Sequence, residues 1–362
     1  MSRSPLVSRN GELLASAASA FVLSLVTVCL LAGVVLSLGL LFEKESLWER
    51  DYVSIRHAVV SRLGNRAVSI FWCQPARGRI QSPQLGMQDL SRIGSPVVVP
   101  WPSLQPTCLH SPPASDLLIV GAADGALYTT NLSHLSAPAR MGQQTDGEVL
   151  CLECTTDERF LVSAGHANLY GWDLESRALL WRREALEANC IALDPRSRRL
   201  ICGLRDGQIV ELDSASGRTL RLLARMAYPV RQVAISPDGR SVVGIGAEGR
   251  ILALEASSGE CRWQDAGSPY HAGGFRVASF SPCGKMLVTV AKEDIRKLAI
   301  WSASTGQWLG YLQGHSRAVA GASFASDGKL YSWGTDGTIR AWNVQQQSSL
   351  SVSSLLVPAQ TG

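Results

Sequence analysis

From about residue 105 to 347, apolar and polar positions alternate in short runs that return at an interval of about forty residues. The clearest runs are Leu127–Leu132, Leu169–Asp173, Ile209–Asp213, Ile251–Glu255, Leu298–Ser302 and Ile339–Asn343. Alternation of this kind describes a half-buried strand, in which successive side chains point to opposite faces. Aligned on Leu132, Trp172, Leu212, Leu254, Trp301 and Trp342, the six copies are spaced by 40, 40, 42, 47 and 41 residues. Turn residues punctuate each copy. Asp124-Gly125, Asp206-Gly207, Glu248-Gly249 and Asp336-Gly337 precede the aligned position, and Asp-Gly supplies the backbone angles of a two-residue hairpin. Ser236-Pro237-Asp238-Gly239 and Ser281-Pro282-Cys283-Gly284 lie earlier in their copies, and Ser216-Gly217, Ser258-Gly259 and Thr305-Gly306 follow the aligned position.

Three turns in about forty residues leave room for four short strands. A fixed period in this range means one supersecondary unit used repeatedly, and four antiparallel strands per unit make a propeller blade. The expected fold is all-β, with seven blades: the six visible copies and a degenerate one drawn from residues 51–104. That region holds two strand-like pieces, Ala67–Trp72 and Pro96–Trp101, and ring closure is expected to join it to Leu350–Val357.

A different pattern precedes the repeats. No charged residue lies between Glu12 and Glu43. A helix crosses a bilayer core with about twenty apolar residues, so residues 13–42 are expected to form one transmembrane helix. A cleaved secretory signal places its small residues after the apolar run. Here Ala15–Ala20 come before it, which favours an anchor that stays. Residues 1–12 then form a short tail, 43–62 a juxtamembrane linker, 63–347 the propeller and 348–362 a C-terminal tail or closing strand. Arg3 and Arg9 flank the span on one side and Lys44, Arg50, Arg56 and Arg62 on the other, a nearly balanced tally. A short N-terminal tail ordinarily stays in the cytoplasm, which puts the propeller outside it. Unpaired cysteines argue the other way, because oxidising compartments favour pairing.

The last copy carries a fuller set of signals: Gly314-His315, Ser326-Asp327-Gly328, Ser332, Asp336, Trp342 and Asn343. It resembles the WD-repeat family, and the similarity extends in weaker form over all six copies. The resemblance implies a hydrogen-bonded structural set of His315, Ser332, Asp336 and Trp342. Such a set is physically sensible, because a buried indole N–H needs an acceptor. Leu254–Trp263 and Trp172–Trp181 are similar instead to the repeats of quinoprotein-like propellers. That resemblance implies that Trp181, Trp263 and Trp308 dock one blade onto the next.

Composition narrows the function. Charged residues are 18 % of the chain, below the usual level of about 25 %. The net charge of +4 gives no dense basic patch, so no nucleic-acid partner is expected. The nine cysteines show no disulfide framework, and most sit in apolar runs as small hydrophobes. Cys151-x-x-Cys154 has no second ligand pair, so no metal site is expected there. No phosphate loop, Gly-x-Ser-x-Gly or His-Glu-x-x-His motif occurs. His166 and Glu293-Asp294 read as turn and hairpin residues. No catalytic residue, cofactor or metal is assigned. The leading expectation is a membrane-anchored platform that binds other proteins. Its candidate partner face comprises Arg205, Tyr228, Tyr270, His271 and Arg317, from loops entering the blades; Tyr and Arg often dominate interfaces. A quinoprotein-like cofactor enzyme and an extracytoplasmic assembly factor remain as alternatives, and the oligomeric state is left open.

Overall fold

The computed structural model describes residues 52–61, 66–74, 83–90, 97–99, 105–112, 116–132, 138–144, 146–194, 199–265, 277–326, 328–344 and 353–356. Its 28 strands form seven four-stranded antiparallel sheets, each built from one continuous stretch of chain. Blades 1 to 7 occupy residues 52–99, 106–143, 151–183, 188–225, 230–265, 278–313 and 319–356. The first strand of each blade packs against the first strand of the next. That of blade 7, Val319–Phe324, packs against that of blade 1, Tyr52–Val60, and closes the ring. The protein is a seven-bladed β-propeller, and none of its described residues is helical. No helix among them is long and apolar enough to cross a membrane. The expected transmembrane helix, residues 13–42, lies outside the described residues.

The degenerate region supplies all of blade 1, which changes two expectations. Its first strand begins at Tyr52, inside the stretch assigned to a linker over 43–62. The strand was hidden because its alternation breaks: Ser54 and Ile55 are both buried, and Arg56 is the extra residue of a bulge between Ile55 and His57. A bulge adds one residue and shifts every later side chain to the other face. Ring closure also differs. With four strands already in blade 1, no place is left for a C-terminal strand there. Ser353–Leu356 instead pairs with Thr338–Ala341 as the outer strand of blade 7. One aligned position moves as well. Leu200 pairs with Leu212 in blade 4, whereas the matching pair in blade 2 is Leu118 with Thr130. Leu132 lies just past its strand, buried against blade 1.

Burial falls from hub to rim. Ala188–Leu193, the first strand of blade 4, is buried throughout, while Leu179–Arg183, the outer strand of blade 3, is largely exposed. The core is accordingly not one mass. It is seven apolar clusters, each shared by two neighbouring blades. In the largest, Ile201, Ile209 and Leu223 of blade 4 meet Val230, Val242 and Leu254 of blade 5. No blade buries its faces alone, as expected of a repeat unit.

Candidate partner-binding face

Antiparallel order within the blades sorts their connections. The turns from second to third strand, and the links between blades, all fall at one end of the ring. Arg205 sits in such a turn of blade 4, Tyr228 in the link from blade 4 to blade 5, and Arg317 in the link from blade 6 to blade 7. The chain order assigns Tyr270 and His271 to the link from blade 5 to blade 6, and both lie outside the described residues. Tyr228 is 55 % exposed, and Arg317 is exposed. Arg205 is 3.8 Å from Glu187, an exposed pair worth little in stability. The fold therefore gathers the described members of the predicted face at one end.

At the same end, blade 7 brings His315, Ser332, Asp336 and Trp342 together. The Trp342 indole donates to Ser332 Oγ at 2.8 Å, and Ser332 Oγ is 2.8 Å from His315 Nε2. His315 Nδ1 lies 2.9 Å from Asp336 Oδ2. Direction follows from the two ends: an indole only donates and a carboxylate only accepts. In the neutral ring, His315 Nδ1–H donates to Asp336 and Nε2 accepts from the Ser332 hydroxyl. Asp336 also accepts from the Ser316 amide at 2.9 Å and the Thr338 hydroxyl at 2.8 Å. Burial alone would raise its pKa. The bond and charge of His315, with Thr338 and the Ser316 amide, outweigh burial and hold the carboxyl at about 2. Parts of the set recur where the sequence showed no complete copy. Trp172 donates to Ser163 Oγ and Trp301 to Thr289 Oγ1, each at 2.9 Å. In blade 3, Gln144 stands in for the histidine, its Oε1 3.1 Å from Ser163 Oγ.

Adjacent blades are bolted by a second device. Trp181, on the outer strand of blade 3, donates its indole N–H to Ser214 O of blade 4 at 2.8 Å. Its ring covers Gly217, whose φ of 68° and missing Cβ admit the close approach. Trp263 repeats the arrangement from blade 5, bonding Ala303 O of blade 6 at 2.9 Å. Between them, register puts Arg221 in the same place. It bonds Ala256 O at 2.5 Å and pairs with Glu211 at 2.6 Å. Trp308 does not take part. It pairs with Trp301, one register step away, while Gly310 holds the docking position. Trp308 is 49 % exposed and rests on Tyr311.

Between blades 5 and 6 the same end of the ring opens into a cleft. Ile245, Ile251, Val277, Val290 and Ile295 form its apolar walls, and Arg231, Glu248 and Lys292 bring charge. Lys292 pairs with Asp265, and burial lowers its pKa. Elsewhere the titratable groups are dispersed. Burial raises Glu153, on the first strand of blade 3, to about 8. Burial, with the charge of His57 adding to it, lowers His110 to about 4. Cys151 is part-exposed and Cys154 is buried. His166 lies 3.8 Å from Glu148. Glu293 accepts from the Tyr311 hydroxyl at 2.7 Å, and Asp294 pairs with Arg296 at 2.9 Å. Among the described residues, no group of three or more His, Cys, Asp or Glu is placed to hold a metal ion.

Residues 114–270, which run from the second strand of blade 2 through blade 5, match the family model described as outer membrane protein assembly factor BamB. Residues 306–343 match the model of the WD domain, G-beta repeat. Over 83 residues the chain is 31 % identical to SIR4-interacting protein SIF2 of Saccharomyces cerevisiae, covering 23 % of this chain and 15 % of that protein. Over 74 residues it is 31 % identical to apoptotic protease-activating factor 1 of Mus musculus, covering 20 % and 6 %. A longer match, 24 % identical over 251 residues, is to the periodic tryptophan protein 2 homolog of Dictyostelium discoideum, covering 66 % and 26 %. The chain thus spans only a small part of the length of these relatives. Among solved structures, a chain in the crystal structure of the mitotic checkpoint complex superposes with a TM-score of 0.58 at 18 % identity, covering 68 % of this chain and 76 % of that one. That likeness concerns the fold. The matches agree with the β-propeller fold, and the similarity to the WD domain lies at residues 306–343, which include most of the last blade.

Proposed function

We propose that this protein is a non-catalytic platform for other proteins, held at a membrane by residues 13–42, with the loop-bearing end of its ring as the docking face. The observation that carries the reading is the convergence of Arg205, Tyr228 and Arg317 at that end, on loops fixed by a rigid ring. Binding residues concentrate on loops held by such scaffolds. The WD-repeat relatives, whose names include an interacting protein, agree with it. The tether rests on the uncharged stretch from residue 13 to 42. An extracytoplasmic propeller is part of the same proposal.

Proximity labelling in the native membrane, with and without alanine at Arg205, Tyr228 and Arg317, tests the face. The triple variant is expected to lose labelled partners while keeping its melting temperature; an unchanged partner set refutes the assignment. A C-terminal reporter active only outside the cytosol, read with and without the first 42 residues, tests the tether. A second reading, an assembly factor outside the cytosol, is favoured by the match of residues 114–270 to the assembly-factor model. It predicts labelling of membrane-assembly proteins along the blade edges rather than at the loop-bearing end.

A further inference from the structure

The strongest unexplained chemistry lies in the cleft between blades 5 and 6. In blade 7, Val319 pairs with Gly334 and Ala322 with Ser332; in blade 5, Val230 pairs with Gly246 and Val233 with Gly244. This register puts Glu248 at the position of Asp336, Met226 at that of His315, Gly244 at that of Ser332 and Leu254 at that of Trp342. Three members of the polar set have become apolar or lost their side chain, and the acid remains. A thioether cannot donate to it. Glu248 Oε2 is buried without a hydrogen-bond partner, its carboxyl resting on Gly246 where a Cβ would collide. An orphaned buried acceptor is destabilising, so its retention calls for an explanation.

Arg231 is the second anomaly. It is the extra residue of the bulge between Val230 and Gln232. Bulges re-aim side chains, and the matching bulge residues of two other blades reach across to their neighbours. Thr107 Oγ1 donates to Val149 O at 2.6 Å, and Asn189 Nδ2 to Val230 O at 3.1 Å. Arg231 makes no such bond. Among the described residues it has neither a hydrogen-bond nor an ion-pair partner, and its side chain lines the cleft. Lys292, the other cation, is already paired with Asp265. The cleft therefore offers one unpaired guanidinium, one unpaired acceptor and a branched aliphatic wall. The complement is a carboxylate, an N–H donor and an aliphatic side chain. Two adjacent residues of an extended peptide supply all three.

We propose that this cleft binds a short extended segment of a protein partner, in which an acidic side chain meets Arg231, a neighbouring aliphatic side chain packs on Ile245 and Val290, and a backbone N–H donates to Glu248. The assignment rests on the platform reading and gives that platform a defined ligand. Both anomalies are resolved by one occupant, and neither contributes to the ring itself.

The test selects a random octapeptide display library against the purified full-length protein and measures the enriched peptides by fluorescence anisotropy. Enriched sequences are expected to carry Asp or Glu beside Ile, Leu or Val. Arg231→Ala should weaken the best peptide by about tenfold or more, the loss of a charged hydrogen bond, with no change in melting temperature. Arg231→Glu should lose that peptide and regain binding when its acid is replaced by lysine. Enriched peptides without the acidic–aliphatic pair, or binding indifferent to both Arg231 variants, overturn the cleft assignment. If such peptides depend on Arg205, Tyr228 and Arg317 instead, the platform reading survives without it. If no peptide is enriched and the triple variant keeps every labelled partner, both fall.

Discussion

Replacing Asp336 by alanine should unfold the last blade more readily than any loss of volume explains. The carboxylate is buried and accepts from His315 Nδ1, the Ser316 amide and the amide and hydroxyl of Thr338. Ser316 is exposed, so water replaces that bond at small cost. His315 and Thr338 are buried, so their donors have no water to turn to. One unsatisfied buried donor costs about 1–3 kcal/mol, and a second partly relieved one brings the expected loss to about 2–4 kcal/mol. Asp336→Asn keeps one acceptor oxygen and should lose about half as much. The assay is urea denaturation followed by tryptophan fluorescence, with hydrogen exchange at the Trp342 indole as a local readout. The indole should lose protection although Asp336 does not touch it, because the chain runs through Ser332 and His315. The reasoning fails if both variants stay within about 0.5 kcal/mol of the parent, the range of a neutral surface change. It also fails if Trp342 remains protected in the alanine variant.

The same carboxyl sets an acid limit. Its folded pKa of about 2 lies below its ordinary 3.8. The depressed value contributes about 2 kcal/mol above pH 3.8, and that stability should disappear as pH falls through 2, leaving Asp336→Asn insensitive over the same window. Glu153 behaves oppositely: with its pKa raised from 4.5 to about 8, folding favours the protonated form, and stability should decline as pH rises through that interval. Glu153→Gln should therefore raise the melting temperature at pH 8.5 and leave it unchanged at pH 4; a gain at both values contradicts the assignment. Trp181→Ala should destabilise the protein by about 2–3 kcal/mol through the lost bond and ring contact. Trp308→Ala should stay within about 0.5 kcal/mol in the same denaturation series, and equal effects would refute the docking assignment.

The sequence revealed features that local chemistry alone specifies. Alternation and Asp-Gly turns located the strands, and the resemblance of the last copy to the WD-repeat family pointed to one hydrogen-bonded set of His315, Ser332, Asp336 and Trp342. What escaped depended on other blades or on breaks in the period. Thr130 is polar, so the alignment of blade 2 slid to the apolar Leu132. The bulge at Arg56 concealed the first strand. Trp181 and Trp263 were readable as docking residues only through the resemblance to quinoprotein-like repeats. Trp308 is two residues early. Arg221 performs the same task with a side chain that no aromatic pattern includes. Glu248 and Arg231 were invisible for a deeper reason. Each matters through partners that are missing from neighbouring strands, and no single copy records that.

Among the described residues, side-chain packing joins the ring where blade 7 meets blade 1. Among the described residues no strand is exchanged between blade 1 and blade 7, and the apolar cluster there is small: Ile55, Ala58, Ala67 and Phe71 against Trp333 and Ile339. His57 meets Trp333 edge-on at 6.3 Å, but the Trp333 indole N–H has no partner. A pull applied to the chain at Tyr52 therefore loads that packing across its width without shearing a row of backbone hydrogen bonds between the two blades.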